Sequence, residues 1–268
     1  CIMTMQISTT AGFTRITQIP FDVDAGIAGR ARIGLIVLAT DHTMEYEYRQ
    51  VVTLPGVAFY ESRIPNSPTI TPETLRQMAS HIADQASVIL PGMPLDVVAY
   101  GCTSASMVIG EERVFELIRE GRPEARPTTP ITAAFAAFNA LDIRRIGVLT
   151  PYRDDINQTV RDYIEAKGFS IPVFGSFNEE DDNRAARITT DSIRKALLEI
   201  GRRQEVDGIF LSCTSLRLTD IVHEVEDELG KPVTSSNHAM IWHSLRLAEV
   251  NDPIDGFGQL YRLPLAAS

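Results

Sequence analysis

Cysteine is scarce in this 268-residue chain: Cys1, Cys102 and Cys213 are the whole complement. They form no CxxC pair and show no Cys/His spacing of a zinc site, which excludes a disulfide framework and a structural metal as the basis of the fold. Basic residues are in deficit too, with 25 Lys and Arg against 35 Asp and Glu and a formal charge of −10. No cluster of Lys and Arg interleaved with aromatics occurs, which excludes a nucleic-acid partner, because neutralising phosphates needs a basic surface. Small anionic metabolites stay within reach, since a few arginines or helix N-termini suffice to hold them. No run approaches the roughly 20 apolar residues of a membrane helix. The opening CIMTMQISTTAGFTRITQIPFDVD lacks the basic and apolar regions of a signal peptide. A cytoplasmic protein with no membrane partner is the expectation. Cys1, ahead of Met3 and Met5, reads as a cloning remnant or part of an upstream extension. The glycines form no GxGxxG or Walker pattern, so a nucleotide is unsupported. The five histidines show no metal-ligand spacing, and of them only His42, in a strand-end loop, stands near a plausible site.

What is present is an alternation. RIGLIVLA (32–39), PLDVVAYG (94–101), RRIGVLT (144–150), DGIFLSC (207–213) and KPVTSS (231–236) read as strands. Helical patterns fall between them at 71–90, 111–121, 132–141, 155–168 and 189–204. Such an order implies an α/β protein with parallel, helix-covered sheets. The stretches 54–72 and 175–184 read as loops, at places where a lid could lie.

The chain also echoes itself. Arg32-Ile33-Gly34-Leu35 matches Arg145-Ile146-Gly147-Val148, and the segment from Asp96 through Cys102-Thr103-Ser104 matches the one from Asp207 through Cys213-Thr214-Ser215. A weaker echo joins Pro130-Ile131-Thr132 to Pro232-Val233-Thr234, each taken as opening an apolar helix. Same order and similar offsets predict two pseudo-symmetric Rossmann-like lobes with an active site in the cleft between them. The divisions are 1–31 as an N-terminal extension, 32–130 plus 236–268 as lobe one, and 131–235 as lobe two.

A single cysteine ending an apolar strand is ordinarily a small buried hydrophobe. Two of them, in duplicated Cys-Thr-Ser contexts, argue for chemistry. Each thiol is expected at the carboxyl end of a parallel strand, where open α/β sheets place their crevices, and next to a helix N-terminus that lowers its pKa. Thr103, Ser104, Thr214 and Ser215 serve as caps or as hydroxyl donors to a substrate carboxylate.

YGCTSASMVIG, LSCTS and the Tyr of LTPYRDDIN together resemble the aspartate/glutamate racemase superfamily. The similarity is to the branch of maleate cis-trans isomerases, arylmalonate decarboxylases and ectoine-utilisation proteins, and it runs from about residue 32 onward. The resemblance implies two cysteines facing each other across a small carboxylate, with no cofactor and no metal. One thiolate removes a proton from Cα while the other thiol delivers one to the opposite face, or Cys102 adds to an alkene while Cys213 protonates the neighbouring carbon. Arylmalonate decarboxylases keep only the second cysteine, so the pair here favours racemisation or isomerisation. A decarboxylase relying on Cys213 alone and a small-molecule binding module are the alternatives. The resemblance assigns Tyr152 to the substrate site and places Asn183 where maleate isomerases keep a substrate-contacting Asn. Thr40 and Asp41 occupy the first-lobe carboxylate pocket in LATDHT, where the branch usually has Pro and a polar residue. An Asp there repels a dicarboxylate and favours an amino-acid-like substrate. A homo-oligomer is expected.

Overall fold

The computed structural model describes residues 5–266 of the chain. Cys1, and with it the expectation about an upstream extension, lies outside the described residues. Ten strands occur among them: β1 (Gln6–Thr10), β2 (Phe13–Thr17), β3 (Ala31–Leu38), β4 (Val57–Ile64), β5 (Val97–Gly101), β6 (Arg126–Thr128), β7 (Arg145–Thr150), β8 (Ser170–Ser176), β9 (Gly208–Leu211) and β10 (Val233–Ser235). Two parallel four-stranded sheets follow the same plan, β4-β3-β5-β6 and β8-β7-β9-β10. Helices flank both.

Burial explains which strands the sequence announces. The central strands β3, β5, β7 and β9 are covered on both faces, so they read as continuous apolar runs. The edge strands β4 and β8 are only partly covered, with Glu61 and Arg63 breaking the first and Pro172 the second. The loop expected over 54–72 therefore contains β4, and the loop expected over 175–184 begins inside β8 and ends in a short helix, Asp182–Ala185. Met44–Val51 and Val222–Leu229 are helices that the apolar pattern did not single out. The helix expected over 71–90 is broken into Pro72–Gln77, a 3₁₀ turn Met78–His81, and Ile82–Ser87.

The third echo holds in a different register. Pro130 is the first residue of the helix Pro130–Ala140, whereas Pro232 precedes β10. The corresponding positions are instead the N-caps Thr129 and Ser235, whose hydroxyls accept from Thr132 N–H at 3.2 Å and His238 N–H at 3.1 Å. The second cap opens Ser236–Leu247, a helix buried on almost every side. It packs with Pro130–Ala140 and Met44–Val51 over one face of β3 around Trp242, whose indole N–H donates to Leu263 O at 3.0 Å. Truncating a fully buried Trp of this kind costs roughly 3–5 kcal/mol.

The N-terminal strands stand apart. β1 and β2 form an antiparallel hairpin whose turn residues Ala11 and Gly12 take φ of 44° and 80°. Positive φ at both positions is what a two-residue hairpin turn requires. Its apolar side chains, Ile7 and Phe13 among them, are exposed.

Candidate active site

β5 and β9 occupy the same place in their sheets, and each ends in a short polar turn that begins with a cysteine. Cys102 follows Gly101, a position with no room for a side chain: a Cβ there would meet Met44 at 2.5 Å and Ile36 O at 2.9 Å. Cys102 is also the N-cap of the helix Thr103–Ile109, held by a bond from Ser106 Oγ to Cys102 O at 2.5 Å. Cys213 follows Ser212, whose hydroxyl is buried and unpartnered. The residues after it form turns, and the next helix begins only at Val222. The expectation of a helix N-terminus beside each thiol therefore fails for Cys213.

Both thiols line one small closed cavity with about 20 Å³ of free space. Thr103, Ser104, Tyr152 and Thr214 line it as well. Ser104 Oγ lies 3.8 Å from the Cys102 sulfur, and Ser215 N–H points to the Cys213 sulfur at 3.4 Å. The Tyr152 side chain stands beside the Cys213 thiol and favours its ionised form. Leu38, Ile70, Leu75 and Met78 make an apolar wall opposite these polar groups. The span from Asn66 to Met78 covers the cavity, and the two sulfurs' residues are only 4% and 3% exposed.

Burial pushes both thiols up to about 12 rather than down. At Cys102, donors from Ala105 N–H and Ser104 oppose this, while Asp182 and Asp41 add to it. At Cys213 the charge of Asp182 is the second cause, and Tyr152 and Ser215 oppose it. The lowered thiol pKa expected from helix dipoles is thus reversed, because desolvation outweighs a two-turn helix. Tyr152 is raised well above its ordinary value by burial and by both thiols, which keeps it a proton donor.

Asp182 is the buried cavity residue that the sequence concealed. It lines the cavity, is 4% exposed, and accepts from Thr40 Oγ1 at 2.5 Å and Ser215 Oγ at 2.6 Å. Thr40 is itself held by Asn66 Nδ2 at 2.8 Å. One hydrogen-bonded chain therefore runs from Asn66 through Asp182 to the loop of Cys213. In a run of four acids, nothing marks one of them as buried. Asn183, the neighbour proposed from the resemblance, points away instead, its Oδ1 meeting His42 Nε2 at 2.9 Å outside the cavity. Helical geometry at Asp182–Ala185 turns only one of two adjacent side chains inward.

Thr40 and Ser215 act through Asp182 and do not line the cavity. Neither does Asp41, which caps Met44–Val51 by accepting from Thr43 N–H and Met44 N–H, both at 2.7 Å. Its other oxygen, Oδ2, is buried and unpartnered, with the Thr214 hydroxyl near but outside bonding geometry. Burial pushes Asp41 up to about 7, with Asp182 adding to the effect. Glu47, also missed, is fully buried. It receives Leu218 N–H at 2.7 Å, Thr219 N–H at 2.9 Å, Thr219 Oγ1 at 3.1 Å and Asn237 Nδ2 at 2.8 Å, tying the helix after β3 to the loop after Cys213. Among the described residues no group of three His, Cys, Asp or Glu side chains is arranged to hold a metal ion, and no helix is long and apolar enough to cross a membrane.

The profile of the family described as arylmalonate decarboxylase matches residues 33–261. A maleate isomerase from Nocardia farcinica is 28% identical over 244 residues, 87% of this chain and 96% of that protein. An arylmalonate decarboxylase from Bordetella bronchiseptica is 31% identical over 136 residues, 50% of this chain and 57% of that protein. Among solved structures, a cysteine-to-serine variant of Nocardia farcinica maleate cis-trans isomerase superimposes with a TM-score of 0.77 at 26% identity. The match covers 87% of this chain and 98% of that one, which carries a covalently bound succinylcysteine intermediate.

Proposed function

The chain belongs to the arylmalonate decarboxylase family, and from that premise we propose that it is a cofactor-independent isomerase or racemase acting on a small carboxylate through Cys102 and Cys213. One observation carries the reading: the two thiols end corresponding strands of the two sheets and meet in a single closed cavity. A group on each side of a bound carbon is what proton exchange between two faces requires. In the racemising form, one thiolate takes the Cα proton and the opposite thiol returns a proton to the other face, so the pair ends with its charge exchanged. In the cis-trans form, one thiolate forms a C–S bond to the alkene while the other thiol protonates the adjacent carbon. Rotation about the new single bond and the reverse elimination then restore both cysteines. The negative charge that spreads onto the substrate carboxylate meets the hydroxyls of Ser104 and Thr214, with Tyr152 on the Cys213 side, while Thr103 donates to Ser236 at 2.7 Å and holds the start of the Cys102 helix. A succinylcysteine intermediate in a relative supports covalent cysteine chemistry on this fold. A decarboxylase needs one proton-donating thiol, and the presence of both favours the two-thiol reaction.

Proton NMR in deuterium oxide across a panel of small carboxylates tests this, watching for Cα exchange or loss of alkene signal. Cys102→Ala and Cys213→Ala are each expected to reduce turnover by about 10³-fold or more. A Cys102→Ala enzyme with near-normal activity overturns the two-thiol reading. If it also releases carbon dioxide from a malonate, the decarboxylase takes its place.

A further inference from the structure

The cavity is short of positive charge. Asp182 is the only charged side chain among its lining residues; no Lys, Arg or His faces it. A second carboxylate, Asp41, stands behind it with one buried oxygen unpartnered. Asp182 is not a stray acid at the edge: its oxygens are fixed by Thr40 and Ser215, and it lines the same cavity as both sulfurs.

Resting on the two-thiol reading above, we propose that the site selects a zwitterionic substrate, a small α-amino acid or close derivative, whose protonated amino group docks on Asp182. Charge balance is the argument. A dicarboxylate would place two further negative charges in a small space that already holds one and offers no cationic side chain in return. An amino acid brings one carboxylate for Ser104 and Thr214, and one ammonium for Asp182. It leaves the filled cavity no more negative than the empty one. The apolar wall of Leu38, Ile70, Leu75 and Met78 then faces a short aliphatic side chain.

The same docking activates the enzyme. Asp182 opposes ionisation of both thiols in the free protein. An ammonium group set against it offsets that opposition, so the thiol that takes the Cα proton ionises more readily with substrate bound than in the free protein, where burial is the larger barrier. The opposite thiol supplies the proton to the other face, and the amino group keeps its own throughout.

The test compares small α-amino acids with their deaminated counterparts, maleate included, by Cα exchange in deuterium oxide. The wild-type enzyme is expected to turn over at least one amino acid of up to six carbons with kcat/KM at least 100-fold above its deaminated analogue. Asp182→Asn should remove that preference by losing about 100-fold on the amino acid and little on the analogue. Because Asp182→Asn also alters the bonds to Thr40 and Ser215, a second measurement uses the unaltered enzyme. Calorimetry with an α-methyl amino acid, which has no Cα proton and cannot turn over, should show binding at least 100-fold tighter than that of its deaminated analogue. Faster turnover of a dicarboxylate, no exchange of any amino acid in the panel, an equal loss on both substrate classes in Asp182→Asn, or equal affinity for the α-methyl amino acid and its deaminated analogue overturns the proposal. The two-thiol reading fails by a different result, survival of activity in Cys102→Ala or Cys213→Ala.

Discussion

Cys102 and Cys213 end the same strand of two matching sheets, and their surroundings share little. Cys102 sits on a rigid turn, with Gly101 pressed against Met44 before it and a short helix after it. Cys213 sits on a helix-free loop whose shape is imposed from outside, by Glu47 of the other sheet's first helix. The fourth residue of the helix after β3 is Glu47, and the fourth residue of the helix after β7 is Asn157. Asn157 reaches only into its own loop, donating to Tyr152 O at 2.8 Å and accepting from Thr150 Oγ1 at 2.5 Å. A duplicated plan has thus been used in two ways. One copy of the position clamps the two halves together, and the other sets the backbone of the tyrosine that serves Cys213. The difference teaches that pseudo-symmetry fixes where the thiols lie, while the polar residues behind them decide what each is equipped to do.

Removing the clamp is expected to have the largest effect. Glu47→Ala leaves the Leu218 and Thr219 N–H groups without their acceptor in a buried place and takes one of two acceptors from the Thr219 hydroxyl and the Asn237 amide, at a cost of about 3–5 kcal/mol. Asn157→Ala, its counterpart, should cost about 1–2 kcal/mol because it breaks contacts within one loop. Urea denaturation of the two variants checks the order; equal losses would break the comparison. Next comes Asp41, pushed up to about 7 chiefly by burial. The native state holds this proton after the unfolded chain has released it. The stability its neutral form provides is complete below about pH 4 and is lost as the pH rises towards 7. Between pH 5 and pH 8 the wild-type protein should lose about 2–3 kcal/mol through this group. Asp41→Asn, which keeps an acceptor for Thr43 and Met44, should flatten that slope in the same denaturation measurement.

The strength of each signal in the sequence tracked burial. Both sheets, their parallel order and the register of the cysteines were legible, since β3, β5, β7 and β9 are apolar on both faces. β4 and β8 were hidden by Arg63, Glu61 and Pro172 at sheet edges. The cavity residues carried by the repeat, Cys102, Thr103, Ser104, Cys213 and Thr214, were legible together with Tyr152. Asp182 and Glu47 were not, because a carboxylate is read as exposed until something buries it, and the groups that do so come from distant segments: Thr40 and Ser215 for one, Leu218, Thr219 and Asn237 for the other. Asn66 was lost with β4, since a stretch read as loop offers no direction for its side chains.

The smallest effects test the thiols themselves. Tyr152 is buried beside Cys213 and favours its ionised form, whereas the nearest hydroxyl partner of the Cys102 sulfur is Ser104 at 3.8 Å. Tyr152→Phe removes a hydroxyl that stabilises negative charge at the Cys213 sulfur, and is expected to lower kcat by about 10–100-fold with a smaller change in KM. Ser104→Ala removes a long, weak contact to a sulfur that keeps its Ala105 N–H donor, and should lower kcat by less than about 5-fold. Steady-state kinetics on the substrate found by the NMR panel, read with the isotope effect of a Cα-deuterated sample run in each stereochemical direction, separates the roles. If Cys213 depends on Tyr152 and Cys102 does not, Tyr152→Phe raises the isotope effect in the direction that uses Cys213 as base and leaves the other unchanged. A symmetric change in both directions would mean that the tyrosine serves the cavity as a whole, and that the two strand ends are less different in chemistry than in construction.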